Sequence, residues 1–440
     1  MPMRRFVVLL LLSVGLSLGL VGGLNRVVDP FWYFRDVEVT GLNAVKTKFR
    51  WYERHVKPAI VARERPQALI FGSSYAEIGF DPTNAAFTAG RTLRAYNFAI
   101  AGASWQDTFC YVDYALRHAQ VKRIVLGVHP GALPIADCTK AQAELEGPGW
   151  GELLFSATAL KASLSTMVEQ RRDSPSHTRE GLYFYTRGDP ATERHFREGM
   201  RSRLSALPNC TLEQAAVLPA AAGPQNAATP IDLSAVEYLI KAARERGIQV
   251  ELVFYPSHVF ALELVAQCGR LPAIWEALRQ TAALLDSSAK GAAVRAWEFF
   301  GYNEVTGERV GNAMRYWQDP EHFNYEMGDL MLDEMFAERA DGGPHRLGRP
   351  VSLRELERRL PAFLQERTRF IESHPWFYEQ LRALVPRERW RGAEPGAAQA
   401  GWRKPGTHHR AGGADEPTGQ AVIRARIFAS RVRSVGAERG

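Results

Sequence analysis

The chain reads as an α/β protein built on a doubly wound parallel sheet, and three observations predict it. Five short apolar runs lie between residues 65 and 340: 68–71 (ALIF), 94–100 (RAYNFAI), 123–128 (RIVLGV), 248–255 (IQVELVFY) and 293–300 (AVRAWEFF). Each ends on small or polar residues, as buried parallel strands do where they enter a turn. The stretches at 106–120, 233–246 and 271–286 suit amphipathic helices, and strand alternating with helix implies parallel βαβ units. At 440 residues, 46% hydrophobic and 23% charged, the composition is that of a globular chain able to bury a substantial core.

Taken in order, the chain opens on residues 6–24, nineteen positions without a charge, behind Arg4 and Arg5. At about 1.5 Å per residue a helix of this length crosses a bilayer core. Arginines ahead of it favour an N-terminus-inside orientation, which exports everything after Asn25. An uncleaved anchor is favoured over a cleaved signal peptide, because no A-x-A site follows and the run is long for a signal. Residues 26–64 form a lead-in, first aromatic (Asp29-Pro30-Phe31-Trp32-Tyr33-Phe34) as at a membrane interface, then charged and helical over 46–64 with Pro58 a break.

The net charge of +7 suggests nucleic acid until it is located. Residues 387–440 hold eleven Lys/Arg against five Asp/Glu, so nearly all the excess sits in this stretch. The rest is close to neutral and has no basic bias of the kind a nucleic-acid-binding domain needs. Residues 387–440 are rich in Gly, Ala, Arg and Pro and predict disorder; residues 341–386 predict a helical extension. Cys110, Cys138, Cys210 and Cys268 suit an exported chain with at least one disulfide, and spacing alone leaves all three connectivities open. An insertion, 132–229, separates the third and fourth strands. It is helical over 153–172 and then carries an aromatic and basic patch over 177–195 that includes Tyr183, Tyr185 and Arg187. A lid or substrate wall and a plain packing subdomain are both consistent with it.

The chemistry centres on Gly72-Ser73-Ser74, at the carboxyl end of the first strand, where open α/β sheets bind ligands. Ser74 is placed to be a nucleophile, and either serine could instead cap the next helix. A serine nucleophile needs a base and a group that orients the base. Asp319-Pro320-Glu321-His322, between the fifth strand and the last helix, can supply both. Asp319 and Pro320 would also suit a helix start, which leaves His322 unexplained. His258, after the fourth strand, is a second histidine for the cleft, or a loop or capping residue. The chain has no G-x-S-x-G, P-loop or H-E-x-x-H, and no G-x-G-x-x-G after a strand.

Ser after the first strand, Gly after the second and D-x-x-H before the last helix together resemble the SGNH (GDSL-type) hydrolase superfamily over residues 65–340, the insertion excluded. The nearest likeness is to exported, membrane-anchored members that O-acylate cell-surface polymers, such as the alginate acetylation and teichoic-acid D-alanylation proteins. The resemblance implies a flavodoxin-like sheet with Ser74 as nucleophile, His322 as base and Asp319 as its orienting carboxylate. Gly102 matches the glycine whose N–H joins that of Ser74 in an oxyanion hole, where each donor is worth about 3–4 kcal/mol. The chain departs from the pattern at the third donor, an Asn in the family. Here Gly127-Val128-His129-Pro130 stands in its place, so the donor is His129 or is lacking.

The function implied is serine acyltransfer or ester hydrolysis on an extracytoplasmic polysaccharide, with Tyr183, Tyr185 and Arg187 of types that stack on and bond to sugars. The alternative is a non-catalytic, membrane-anchored polysaccharide-binding or scaffold component. Partners implied are a polysaccharide acceptor, an acyl donor, the membrane and a membrane-bound O-acyltransferase, with no nucleic acid, cofactor or metal. The implied location is the bacterial inner membrane, single-pass, with the domain in the periplasm.

Overall fold

A computed structural model describes residues 2–88, 93–170, 177–183, 192–214, 229–288, 293–311, 314–336 and 347–391. Strand β1 (Ala68–Phe71) lies inside the sheet with all four side chains buried. It pairs in parallel with β2 (Ala95–Asn97) on one side and β3 (Arg123–Val128) on the other. Strands β4 (Gln249–Phe254) and β5 (Val294–Glu298) follow in parallel register. The order β2-β1-β3-β4-β5 is one of the two common doubly wound orders, and its reversal puts a crevice at the carboxyl ends of β1 and β3.

The five expected strands are present, but the sheet has six. Arg349–Pro350 forms β6, antiparallel on the β5 edge. Two residues carry no periodicity, and their pairing is imposed by the chain that follows. Strand β2 is also shorter than its apolar run. Beyond it, Phe98 N–H still donates to Ile70 O at 2.8 Å and Ile100 N–H to Gly72 O at 3.1 Å, tying the next loop to the end of β1.

Helix α2 (Glu53–Glu64) runs unbroken through Pro58, against expectation. Proline there forfeits one bond, its own missing donor to residue 54, while Val56, Lys57, Pro58, Ile60 and Val61 are buried against the sheet layer. Packing outweighs that loss. Helices α3 (Ser74–Gly79), α4 (Ala85–Thr88) and α5 (Trp105–His118) connect the first three strands. Ser104 and Asp107 close a reciprocal capping box on α5. In the insertion lie α6 (Gln142–Leu145), α7 (Trp150–Phe155), α8 (Ala157–Glu169) and α9 (Thr192–Ser205). Helix α10 (Ser234–Arg246) ends on Gly247 at φ 63°, the left-handed cap its glycine predicts. Helices α11 (Val259–Gln267), α12 (Leu271–Ser287) and α13 (Tyr325–Phe336) complete the layers.

All four cysteines pair, Cys110 with Cys138 and Cys210 with Cys268. The second disulfide fastens the insertion to the chain just after α11. The C-terminal helices α14 (Leu353–Ser373) and α15 (Trp376–Leu384) are part of the core, with Phe363, Phe370, Phe377 and Leu381 buried. Arg367 reaches the buried Glu263 at 2.6 Å. Residues 387–391, expected to be disordered, pack instead. Leu212 N–H donates to Arg389 O at 2.7 Å and Arg391 N–H to Leu212 O at 2.8 Å. The remainder of the basic stretch lies outside the described residues. Among the described residues one helix, α1 (Pro2–Val28), is long and apolar enough to cross a membrane. Its residues 3–20 are exposed, and packing against the rest of the chain begins at Gly22.

Candidate active site

Strand β1 ends on Gly72, which takes φ 145°. A Cβ there would lie 2.1 Å from the Tyr255 hydroxyl, so both conformation and space require glycine. Tyr255 in turn accepts the Ser73 N–H at 3.2 Å, fixing the turn from which α3 starts. Ser73 occupies the N-cap position of α3 but makes no capping bond. Ser74, the first helical residue, sends its side chain elsewhere: Oγ lies 2.8 Å from His322 Nε2.

The partner arrives from the turn between β5 and α13. Asp319 Oδ1 accepts the backbone N–H groups of Glu321 and His322, each at 2.8 Å, which closes a tight turn. Its other oxygen, Oδ2, lies 2.8 Å from His322 Nδ1. Asp319 therefore starts no helix. Asn324 caps α13 instead, its Oδ1 accepting from Glu326 at 3.0 Å. With Nδ1–H donating to a carboxylate, Nε2 carries the lone pair and accepts from the Ser74 hydroxyl. Burial opposes ionisation of Asp319, but the hydrogen bond and charge of His322 outweigh it and hold the carboxyl below its ordinary value. Ser74, His322 and Asp319 thus form one hydrogen-bonded relay, with the serine and histidine 248 positions apart in the chain.

Gly102 sits in the turn after β2 at φ 71°, exposed, with open space where a side chain would be. Neighbouring Ala101 donates its N–H to Glu77 Oε2 at 3.0 Å, and Glu77 lies one turn along α3 from Ser74. Glu77 is fully buried with the Lys57 ammonium 2.7 Å from its Oε1. Lys57 also donates to Ala99 O at 2.5 Å. Asn97 Nδ2 donates to Ala76 O and Phe80 O, both at 2.9 Å. Helix α3 and the glycine turn are thereby locked to each other through a buried ion pair and an amide. Burial alone would raise the Glu77 carboxyl, but Lys57 and then His177 hold it well below the usual range.

Glu53, Glu77 and His177 have donor types and spacing that could hold a metal ion. Lys57 and His177 both lie against the same oxygen, Glu77 Oε1, at 2.7 and 3.2 Å. A cation of the chain already occupies that position, so these residues fit a metal poorly.

Three residues flank the relay that the sequence reading passed over. The Tyr75 ring lies between Tyr255 and His322, with centroids 4.8 and 4.5 Å away, and its hydroxyl donates to Glu321 Oε2 at 2.6 Å. Glu321 is also paired with Arg203 of α9. Gly199 on the same helix approaches Pro320, where a Cβ would sit 2.7 Å from the proline ring. The insertion therefore forms one wall of the relay turn. Tyr75 and Glu321 each adjoin a singled-out residue, the only signal available for them; Arg203 carried none.

The remaining expected residues separate. His129 is exposed at the cleft and meets Tyr75 and Tyr255 edge-on, at 4.9 and 5.1 Å. Crowding by these neighbours lowers its pKa, and Arg203 adds to the effect. His258 is not a cleft residue, which corrects that expectation. It is fully buried, its Nδ1 caps α11 by accepting from Phe260 N–H at 3.2 Å, and Nε2–H donates to Glu308 O at 2.8 Å. It supports the site from beneath: its own N–H donates to Pro320 O at 3.1 Å. Tyr183 is half-buried in the Glu77 cluster, its ring 4.8 Å from His177 and 4.4 Å from the Arg50 guanidinium. Tyr185 and Arg187 lie outside the described residues.

A surface hollow of about 310 Å³ is lined by Glu237, Lys241, Arg244 and Leu284 of α10 and α12, and includes no relay residue. No protein-family model matches the chain, and no curated protein matches it.

Proposed function

We propose that the chain is an SGNH-type serine acyltransferase or acylesterase, acting outside the cytoplasm on a cell-surface or exopolysaccharide, with α1 as a single-pass anchor. The observation that carries this reading is the hydrogen-bonded Ser74–His322–Asp319 relay at the carboxyl end of β1; the N–H groups of Ser74 and Gly102, which bond to no other described residue, serve as its oxyanion donors in this reading. In the first half-reaction Ser74 Oγ attacks the donor's acyl carbonyl as its proton passes to His322 Nε2. The tetrahedral oxyanion forms beside the two N–H donors. It collapses with departure of the donor alcohol, which takes the proton from His322, and leaves an ester on Ser74. A sugar hydroxyl or water then attacks that ester, giving its proton to His322, and the tetrahedral species expels Ser74, which regains the proton. Asp319 holds the imidazole in the reactive tautomer throughout.

One observation favours the scaffold alternative. The place of the third oxyanion donor is taken by His129, whose ring packs on Tyr75 and Tyr255. Loss of one donor costs about 10²–10³ in rate, which slows turnover without abolishing it. Labelling of the full chain by a fluorophosphonate probe tests the two readings. Ser74 is expected to be modified, with labelling lost in Ser74→Ala and slowed by orders of magnitude in Asp319→Asn. Slow hydrolysis of p-nitrophenyl acetate is expected, and faster deacylation with an oligosaccharide acceptor. Wild-type labelling no greater than that of Ser74→Ala would leave the scaffold reading standing.

A further inference from the structure

We infer that α7 and α8 form a membrane-surface paddle beside α1, their exposed side chains seated among lipid headgroups and upper acyl chains. This rests on the reading of α1 as a membrane anchor and extends it to the folded domain. Trp150 is 64% exposed, Phe155 50%, Leu164 49% and Val168 80%, and all four belong to two consecutive short helices. Leu164 and Val168, four apart, share one face of α8 with the half-buried Leu160, while Ala159, Ala162, Ser163 and Thr166 pack inward. From Trp150 to Val168 the only charged residues are Glu152 and Lys161. An apolar surface of this kind on a water-facing domain marks an interaction site.

The occupant follows from continuity with α1. The Phe155 ring covers Gly22, where a Cβ would sit 2.6 Å from it, and Gly22 is where the exposed apolar stretch of α1 ends. One turn further along, Asn25 donates to Leu154 O at 2.8 Å and accepts from Ser163 Oγ at 2.7 Å. Among the described residues, polar side-chain bonding between α1 and the rest of the chain thus begins just past the point where α1 would leave the hydrocarbon. Asn25 holds both the end of α7 and the middle of α8 against the same turn of α1. Trp150 meets Phe34 edge-on at 5.8 Å, and the Arg26 guanidinium lies 4.2 Å from the Phe34 ring. Aromatic residues beside a cation at this depth are characteristic of the lipid interface. A helix lying there buries its apolar face about 5–10 Å into the headgroup boundary. Lipid around the Gly22 end of α1 meets the Phe155 ring, from which α8 continues.

The test uses the full chain in phospholipid nanodiscs, with single cysteines at Leu12, Leu164, Val168 and Glu245 labelled by a polarity-sensitive bimane; the four native cysteines are in disulfides. Labels at Leu164 and Val168 are expected to emit to the blue of Glu245 and to be quenched several-fold more by shallow doxyl lipids. Leu12 is expected to be quenched by deep ones. Quenching at Leu12 with water-like, unquenched emission at Leu164 and Val168 would overturn the paddle and leave the anchor intact. No quenching at Leu12 would remove both. Blue emission at Leu164 and Val168 in native membranes, but not in nanodiscs holding this chain alone, would mean that a protein partner covers the face and would equally overturn the inference.

Discussion

Acid is expected to weaken the fold through one buried imidazole directly beneath the relay turn. His258 is fully buried, and burial pushes its pKa down to about 4 from the ordinary 6.5. Its Nδ1 must stay unprotonated to accept the Phe260 N–H. Between pH 6.5 and 4 the unfolded chain binds a proton at this residue and the folded chain does not, so stability falls as pH falls across that window. At 1.36 kcal/mol per pKa unit the loss approaches about 3 kcal/mol by pH 4. A folded unit spanning Met1–Ala393 has an unfolding entropy of about 0.8 kcal/mol/K, so the midpoint should fall by about 4 °C from this residue alone. The assay is thermal unfolding in detergent at half-unit pH steps, comparing wild type with His258→Asn. Asparagine keeps an acceptor for the cap and cannot titrate. The variant is expected to start lower at pH 7, having lost the bond to Glu308 O, and then to decline less steeply. Parallel curves for the two proteins would refute the reasoning, since the His258 proton would then contribute nothing.

Two other outcomes follow from the packing. Lys57→Met should cost up to about 3–5 kcal/mol, the effect of removing the ammonium from a buried carboxylate, with His177 and the Ala101 N–H left on Glu77 to offset part of it. Adding Glu77→Gln should recover at least about 1 kcal/mol of that, and strict additivity in thermal unfolding would show that the pair is not coupled. A chain stopped after Pro386 loses the Arg389 and Arg391 backbone bonds to Leu212, and its midpoint should drop by a few degrees. A stop after Arg391 should leave it unchanged; equal midpoints for the two truncations would show that residues 387–391 contribute nothing.

Much was determined by the sequence alone, because local pattern and chain order suffice for it. Five parallel strands were legible since each is a short apolar run ending on small or polar residues. An apolar run behind two arginines likewise identified α1 as membrane-competent. Ser74, Asp319 and His322 could be named because strand ends and an Asp-x-x-His spacing are local signals. What only tertiary structure decided depends on contacts between distant segments. Whether Ser74 caps a helix or meets His322 was open in the sequence, since serine suits both; the turn built by Asp319 brings the imidazole to its hydroxyl. For His258 a cleft position and a capping one were both open in the sequence, and only the packing of Trp317 and Phe196 around it shows it buried at the cap of α11. Nothing in the sequence singles out Lys57 or Glu77, because burial by a layer from elsewhere in the chain has no local signature. The disulfide pairing belongs here too: four cysteines permit three pairings, and the fold selects one by bringing Cys110 to Cys138 and Cys210 to Cys268.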